Sequence, residues 1–290
     1  MRKILTFVSA LILTLSLNAK DYPVGVSLCM FSKTEATQEQ IDSIKEAGIE
    51  WVEVVMNWFE RTCPENEGYI RAFQTKAMLE KAGLKVWSCH LPFSKTLDIS
   101  VTDPAAREAN VRTQERMIEM AAIFQPKMLV LHPSSEPIAE EDRPERLMCA
   151  RNSIGRLYLS AKKIGAVLCI EDLPRTCLGR ESSELMYMIQ DYPEVMVCFD
   201  TNHLLSETHD HFFEVAGSRI ATIHVSDYDR VDERHWIEGA GCIDWPAFLA
   251  NLKKYGYKGV FMHEIKTGQG ITAQDVVKAY KNVVCGTHLQ

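Results

Sequence analysis

Eight short apolar runs, each followed by a segment of helix-forming composition, narrow the fold of this chain more than any other feature. They occupy residues 24–28, 51–55, 85–89, 127–131, 167–170, 195–199, 220–225 and 259–265. The runs are too continuously apolar to alternate between core and water. Each therefore reads as a strand buried on both faces, the habit of a parallel sheet covered by helices. The segments between them open on helix-start signals: Thr37, Asp103-Pro104 and Asp244-Trp245-Pro246 place a capping side chain or a proline at the first turn. Several close on glycine, at Gly48, Gly83, Gly165 and Gly256, where a left-handed residue ends a helix. Eight β/α units in 290 residues predict an α/β fold, a (β/α)8 TIM barrel, which takes about 250 residues. A doubly wound sheet would want a glycine-rich phosphate turn after its first strand, and SLCMFSK has none. Nothing reads as a linker, so residues 20–290 are expected to form a single domain.

Residues 1–19 stand apart. Arg2 and Lys3 precede an apolar stretch, ILTFVSALILTLSL, followed by Asn18-Ala19; a basic start, a short apolar core and a small-residue cut point predict a secretory signal peptide. The stretch is shorter than the roughly 20 apolar residues that a membrane span needs. The mature protein is therefore expected to be exported, periplasmic or secreted, with no membrane anchor. Nine cysteines lack CxxC spacing, and Cys89, Cys169 and Cys198 lie inside apolar runs. Most are expected to be free buried thiols, with one disulfide among loop cysteines left open. Net charge is −7, or −9 once Arg2 and Lys3 leave with the signal. That sign opposes a nucleic-acid partner, whose sequence-independent grip depends on displacing counterions with positive charge.

In a TIM barrel the C-terminal strand ends converge on one site. Here those ends carry His90, His132, Glu171, Asp200 with His203 three residues on, His224, and His263-Glu264. Six consecutive strands present an imidazole or a carboxylate at one level. Any one of these alone would be an ordinary structural histidine or a loop acid; their joint placement is the signal. Carboxylates gathered in a low-dielectric site repel one another unless a cation joins them. A divalent metal resolves the conflict, and an oxygen-rich set with one imidazole suits Mn²⁺ first, with Mg²⁺, Co²⁺ or Zn²⁺ as alternatives.

These residues carry a family resemblance. CHLP with His90, LVLHPS with His132, CIED with Glu171, FDTNH with Asp200 and His203, IHVSD with His224 and HEIK with Glu264 resemble the xylose-isomerase-like barrel superfamily. That superfamily holds sugar isomerases, ketose 3-epimerases and apurinic-site endonucleases. The likeness spans the mature chain and implies that Glu171, Asp200, His224 and Glu264 hold the metal. It places Arg230, six residues past the strand-7 histidine, on substrate hydroxyls, and makes His203 another substrate contact. His90, His132 and His235 complete the substrate-binding candidates. The implied chemistry is an exported, metal-dependent sugar isomerase or epimerase. Glu171 and Glu264 are its catalytic pair, moving a proton next to a carbonyl through a metal-stabilised enediolate. Two departures bear on the substrate: Asp172 follows Glu171 where many relatives have Asn, and DLPRTCLGR supplies no further glutamate before Glu181.

Three other readings use the same residues. A lyase or hydratase on a keto-glycoside would eliminate from the same enediolate. A trinuclear-zinc phosphodiesterase resembling the apurinic-site endonucleases would add His90, His132 and the Glu233-Arg234-His235 loop as ligands. A non-catalytic sugar-binding barrel would need no paired glutamates. The expected partner is a small carbohydrate, and a homo-oligomer is compatible with the sequence. Gly239 and Gly241 read as tight turns, and His209 and His211 as surface residues. Trp51, Trp58 and Trp87 read as core or rim aromatics, with Trp58 placed to stack on a sugar.

Overall fold

The computed structural model describes residues 22–31, 35–60, 65–266 and 268–285; the expected signal peptide lies outside them. Its strands are β1 (Val24–Ser27), β2 (Trp51–Val55), β3 (Lys85–His90), β4 (Met128–Leu131), β5 (Val167–Glu171), β6 (Met196–Asp200), β7 (Ile220–Val225) and β8 (Phe261–His263). Each pairs in parallel with the next, and β8 returns to β1, closing a TIM barrel in chain order. The helices are α1 (Gln38–Glu46), α2 (Asn57–Glu60), α3 (Glu65–Ala82), α4 (Pro104–Ala121), α5 (Arg143–Lys163), α6 (Ser182–Ile189), α7 (His209–Ala216), α8 (Trp245–Lys254) and α9 (Ala273–Cys285).

The helix signals act as expected. Thr37 caps α1 in a reciprocal capping box with Gln40, Asp103 caps α4 through Ala106 N, and Asp244 caps α8 through Ala247 N. Strand alternation divides the apolar residues between two cores. Leu168 and Ile170 of β5 face the helices, whereas Cys169 joins Val130 and Cys198 inside the barrel. No disulfide joins any two of the eight described cysteines. Among the described residues, no helix is long and apolar enough to cross a membrane.

Two side chains and one strand differ from the sequence-based expectation. Trp58 is buried in α2 and does not line the central cavity. His211 is exposed, but His209 is buried at the start of α7, where its Nε2 lies 2.8 Å from Thr201 O and its ring packs on Phe199 and Phe248. The eighth strand is shorter than its apolar run, covering only Phe261–His263.

The loop between β7 and α8 covers one side of the barrel mouth, and two buried acids hold it. Asp227 accepts from four donors: Tyr228 N, Gly239 N, Ile243 N and Trp245 Nε1. Gly239 turns at φ +88°, and a Cβ on Gly241 would fall 2.3 Å from Asp227 Oδ1, so the loop closes on this carboxylate only with glycine there. Further along, Glu238 meets His263 of β8, Oε1 to Nε2 at 2.9 Å, both fully buried; the approach is too oblique for a formal hydrogen bond. Burial opposes a charge on His263, but the Glu238 carboxylate outweighs it and raises the imidazole pKa.

Removing one partner of such a pair costs about 3–5 kcal/mol. Glu238→Gln is expected to lower stability by the lower end of that range. Because the folded pKa of His263 lies above its ordinary 6.5, the pair's contribution is full below that value and declines as pH rises through the folded pKa. Denaturant titrations of both proteins across this window should show their stability gap narrowing towards alkaline pH; a constant gap would disprove the charged pair.

Candidate metal centre

Strand alternation turns Glu171, Asp200, His224 and Glu264 into the barrel mouth from β5, β6, β7 and the end of β8. Each offers one ligand atom, and the four atoms lie within 4.8 Å of one another. His224 stands at the centre: its Nδ1 is 2.8 Å from Glu171 Oε1 and 3.0 Å from Glu264 Oε2. Its Nε2 lies 2.9 Å from Glu53 Oε2 on β2, across the barrel. Register explains the reach. Glu53 pairs with Ser27 of β1 and Ser88 of β3, and Ser88 Oγ donates to the same oxygen at 2.8 Å.

A second tier of imidazoles surrounds the tetrad. His90 Nε2 and His132 Nε2 lie 3.1 Å and 2.9 Å from Glu171 Oε2. His203 is fixed by Asp172 O at 2.8 Å from Nδ1, and its Nε2 lies 3.6 Å from Asp200 Oδ2. His235, in a left-handed conformation at φ +50°, directs Nδ1 towards Glu264 O at 3.1 Å. Asn202 holds that turn by accepting from the backbone of Arg234 and His235. Asp172 Oδ1 accepts from Asp200 N at 2.7 Å, which stiffens the strand end carrying Asp200.

The electrostatics follow from burial and neighbours. Burial resists ionisation of Glu171, but His224 and His132 overcome it and hold the carboxyl well below its usual range. Glu264 is lowered as well, burial again being outweighed by His224. Asp200 and Asp172 move the other way: burial dominates and raises both, helped on Asp200 by the nearby Glu264 and Glu171. Burial works against His90, yet its hydrogen bond to Glu171 raises it to about 9; His132 is lowered, because burial prevails. The donor set fits a divalent cation. Two buried carboxylates, the partly buried Glu264 and an imidazole converge, and the buried Asp200 Oδ2 has no hydrogen-bond partner. Two adjoining triplets, His90–His132–Glu171 and Asp200–His203–His235, also bring ligand atoms within 4.8 Å.

Beside this cluster opens a cavity of about 400 Å³, lined by His90, His132, Glu171, His203, Glu233, His235 and Glu264 among others. Arg230 is not among them; it is exposed, on a left-handed turn at φ +60°. A different arginine lines the cavity. Arg175, from the β5–α6 loop, also has a left-handed backbone, at φ +55°. It spans the mouth to Glu136 at 2.7 Å, Asp232 at 2.7 Å and Glu233 at 3.2 Å. Phe93, 41% exposed, stacks on His132 with ring centroids 4.2 Å apart and gives the cavity an aromatic wall. Sequence reading missed Glu53, Arg175, Phe93 and Lys266. Only Glu53 had a signal, an acid inside the apolar run WVEVV.

Comparison with known proteins agrees with this architecture. The sequence profile of a family described as xylose isomerase-like TIM barrel matches residues 41–282. Two uncharacterised proteins of Methanocaldococcus jannaschii are similar. One is 25% identical over 173 residues, 58% of this chain and 63% of that protein. The other is 22% identical over 232 residues, 80% of this chain and 88% of that protein. The match thus spans less than two thirds of the first relative's length. Among solved structures, a D-tagatose 3-epimerase-like protein has TM-score 0.75 at 21% identity, covering 91% of this chain and 98% of its own. A D-psicose 3-epimerase crystallised with D-fructose has TM-score 0.72 at 20% identity, covering 89% of each. The 3-keto-D-glucoside 4-epimerase of E. coli has TM-score 0.70 at 18% identity, covering 90% and 98%. At these identities the structural likeness shows the fold, while the profile spans most of the sequence: the chain belongs to the xylose isomerase-like TIM-barrel family.

Proposed function

We propose that this protein is a divalent-metal-dependent sugar isomerase or epimerase that moves a proton next to a carbonyl. One observation carries the reading: Glu171 and Glu264 flank a single nitrogen of His224 and both line the same cavity. Glu171, Asp200, His224 and Glu264 would hold the cation, Mn²⁺ first among candidates. A cation there supplies electrostatic stabilisation for negative charge developing on substrate oxygen. The chain's own residues do the rest. Glu171 is enclosed and contacted by three imidazoles, whereas the Glu264 side chain remains 17% exposed. The two carboxylates therefore sit in different environments, which suits one to accept a proton and the other to return it from another side. His90 and His132 hold the second oxygen of Glu171, fixing which oxygen faces His224. Phe93 provides a surface for a sugar ring, and His203 and His235 present ring nitrogens towards hydroxyls.

The two adjoining triplets favour a second reading, a three-metal phosphodiesterase. Glu233 speaks against it. Its Oε1 is 3.2 Å from Arg175 and its Oε2 is 3.5 Å from His203, so both oxygens are engaged and it joins no donor group among the described residues. The substrate expected is a small carbohydrate, whether a free sugar, a sugar acid or a keto-glycoside. Export is part of the proposal and rests on residues 1–19 alone.

Metal titration of chelator-stripped protein should saturate near one equivalent of Mn²⁺ and restore activity. Three tightly bound Zn²⁺ ions would replace this reading with the phosphodiesterase. Incubation with a panel of ketoses and keto-glycosides in D2O should give solvent deuterium at the carbon beside the carbonyl. Glu264→Gln should slow that exchange about 10²–10⁴-fold without abolishing metal uptake. Binding without any exchange by the wild type, across the panel, would leave only a sugar-binding barrel. Expression from the full-length gene should yield an exported protein whose intact mass lacks residues 1–19; a cytoplasmic, uncut product rejects export.

A further inference from the structure

The metal-site reading leaves one buried acid unused. Glu53 has no solvent exposure and sits in the middle of β2, between Val52 and Val54, where packing alone would favour another aliphatic residue. Its hydrogen bonds converge on one oxygen: Oε2 meets His224 Nε2 at 2.9 Å and Ser88 Oγ at 2.8 Å, while Oε1 has no hydrogen-bond partner. A buried carboxylate engaged through a single oxygen is there for the groups that meet that oxygen.

We propose that Glu53 is a positioning residue that sets the tautomer of His224, holding the ring proton on Nε2 so that Nδ1 presents its lone pair to Glu171, Asp200 and Glu264. This rests on the proposal that those residues share a cation. A neutral imidazole carries one N–H, and a carboxylate only accepts. His224 lies between acids on both sides, so the geometry of its two nitrogens decides where the proton stays. A lone pair at Nδ1 faces the three other donors; a lone pair at Nε2 would face Glu53, and Nδ1 would lose its place among the ligands. Glu53 disfavours that alternative, because its Oε2 already accepts from Ser88 and is placed to accept from Nε2 as well. Ser88 contributes by fixing the rotamer of Glu53, at the register position directly opposite it. Partners of this kind on metal-binding histidines typically change metal affinity by about 10–100-fold.

The experiment measures Zn²⁺ and Mn²⁺ affinity by chelator competition in wild type, Glu53→Met, Glu53→Gln and Ser88→Ala. It is paired with ¹⁵N-histidine NMR of the Zn²⁺-loaded wild type. Glu53→Met, of similar length but without an acceptor, should weaken both metals about 10–100-fold. Glu53→Gln keeps an acceptor oxygen and should lose less. Ser88→Ala removes the other bond to the same oxygen and should bind within a few-fold of wild type even where its Tm falls. The NMR spectrum should show His224 protonated at Nε2. Folded Glu53 variants that bind like wild type overturn the assignment, as does a His224 proton on Nδ1 in the loaded protein. Affinity falling only in step with Tm across all three variants reduces Glu53 to packing and also overturns it. Should Glu53→Met not fold, the glutamine variant and the wild-type tautomer decide the matter. A wild type that takes up neither ion sinks the metal reading and this assignment together, whereas normal wild-type binding with insensitive variants sinks this assignment alone.

Discussion

Burying carboxylates together is unfavourable, and the mouth of this barrel is arranged around that fact. Glu53, Glu171, Asp172 and Asp200 are fully buried in one small volume, with Glu264 partly buried at its edge. Each is relieved differently. Three imidazoles surround Glu171, His224 also serves Glu264 and Glu53, and Asp172 accepts the backbone amide of Asp200. Imidazoles hold Glu171 and Glu264 ionised, while burial pushes Asp200 and Asp172 towards their neutral forms. Among the acid oxygens left without a hydrogen-bond partner, Oδ2 of Asp200 is the one that belongs to the tetrad. A divalent cation bound there would complete the electrostatics.

The barrel itself was legible because a strand buried on both faces leaves a continuous apolar run, and eight such runs with capped helices between them permit few folds. The strand-end residues were legible for a related reason. Once strands are placed, their C-terminal ends form a ring, and His90, His132, Glu171, Asp200, His224 and Glu264 fall on it by counting. Counting strand ends is also why Glu53 escaped notice. It lies one layer deeper, in mid-strand, where only the incongruity of an acid among valines marks it.

Loops carry no such periodicity. The resemblance implied Arg230 at the substrate, yet Arg230 is exposed and outside the cavity lining, whereas Arg175 from another loop lines it. Nothing in DLPRTCLGR announces this, because the guanidinium's position depends on acids far away in sequence: Glu136, Asp232 and Glu233. The expectation for His209 went astray for a comparable reason. A histidine at a helix start is commonly solvated, but here the carbonyl of Thr201 and a cluster of phenylalanines supply it with a buried place.

The span of Arg175 has an evolutionary corollary. In most TIM barrels the loops above the strands vary almost independently, which is how one scaffold comes to host many reactions. Here a single guanidinium joins the β4–α5, β5–α6 and β7–α8 loops, and Glu233 passes its influence on to His203 beside Asp200. One side of the cavity rim is therefore tied together across three loops. A lineage that shortens or exchanges any of these loops alone strands charges on the other two, so substrate range in this branch should drift by replacing the three together, as a cassette.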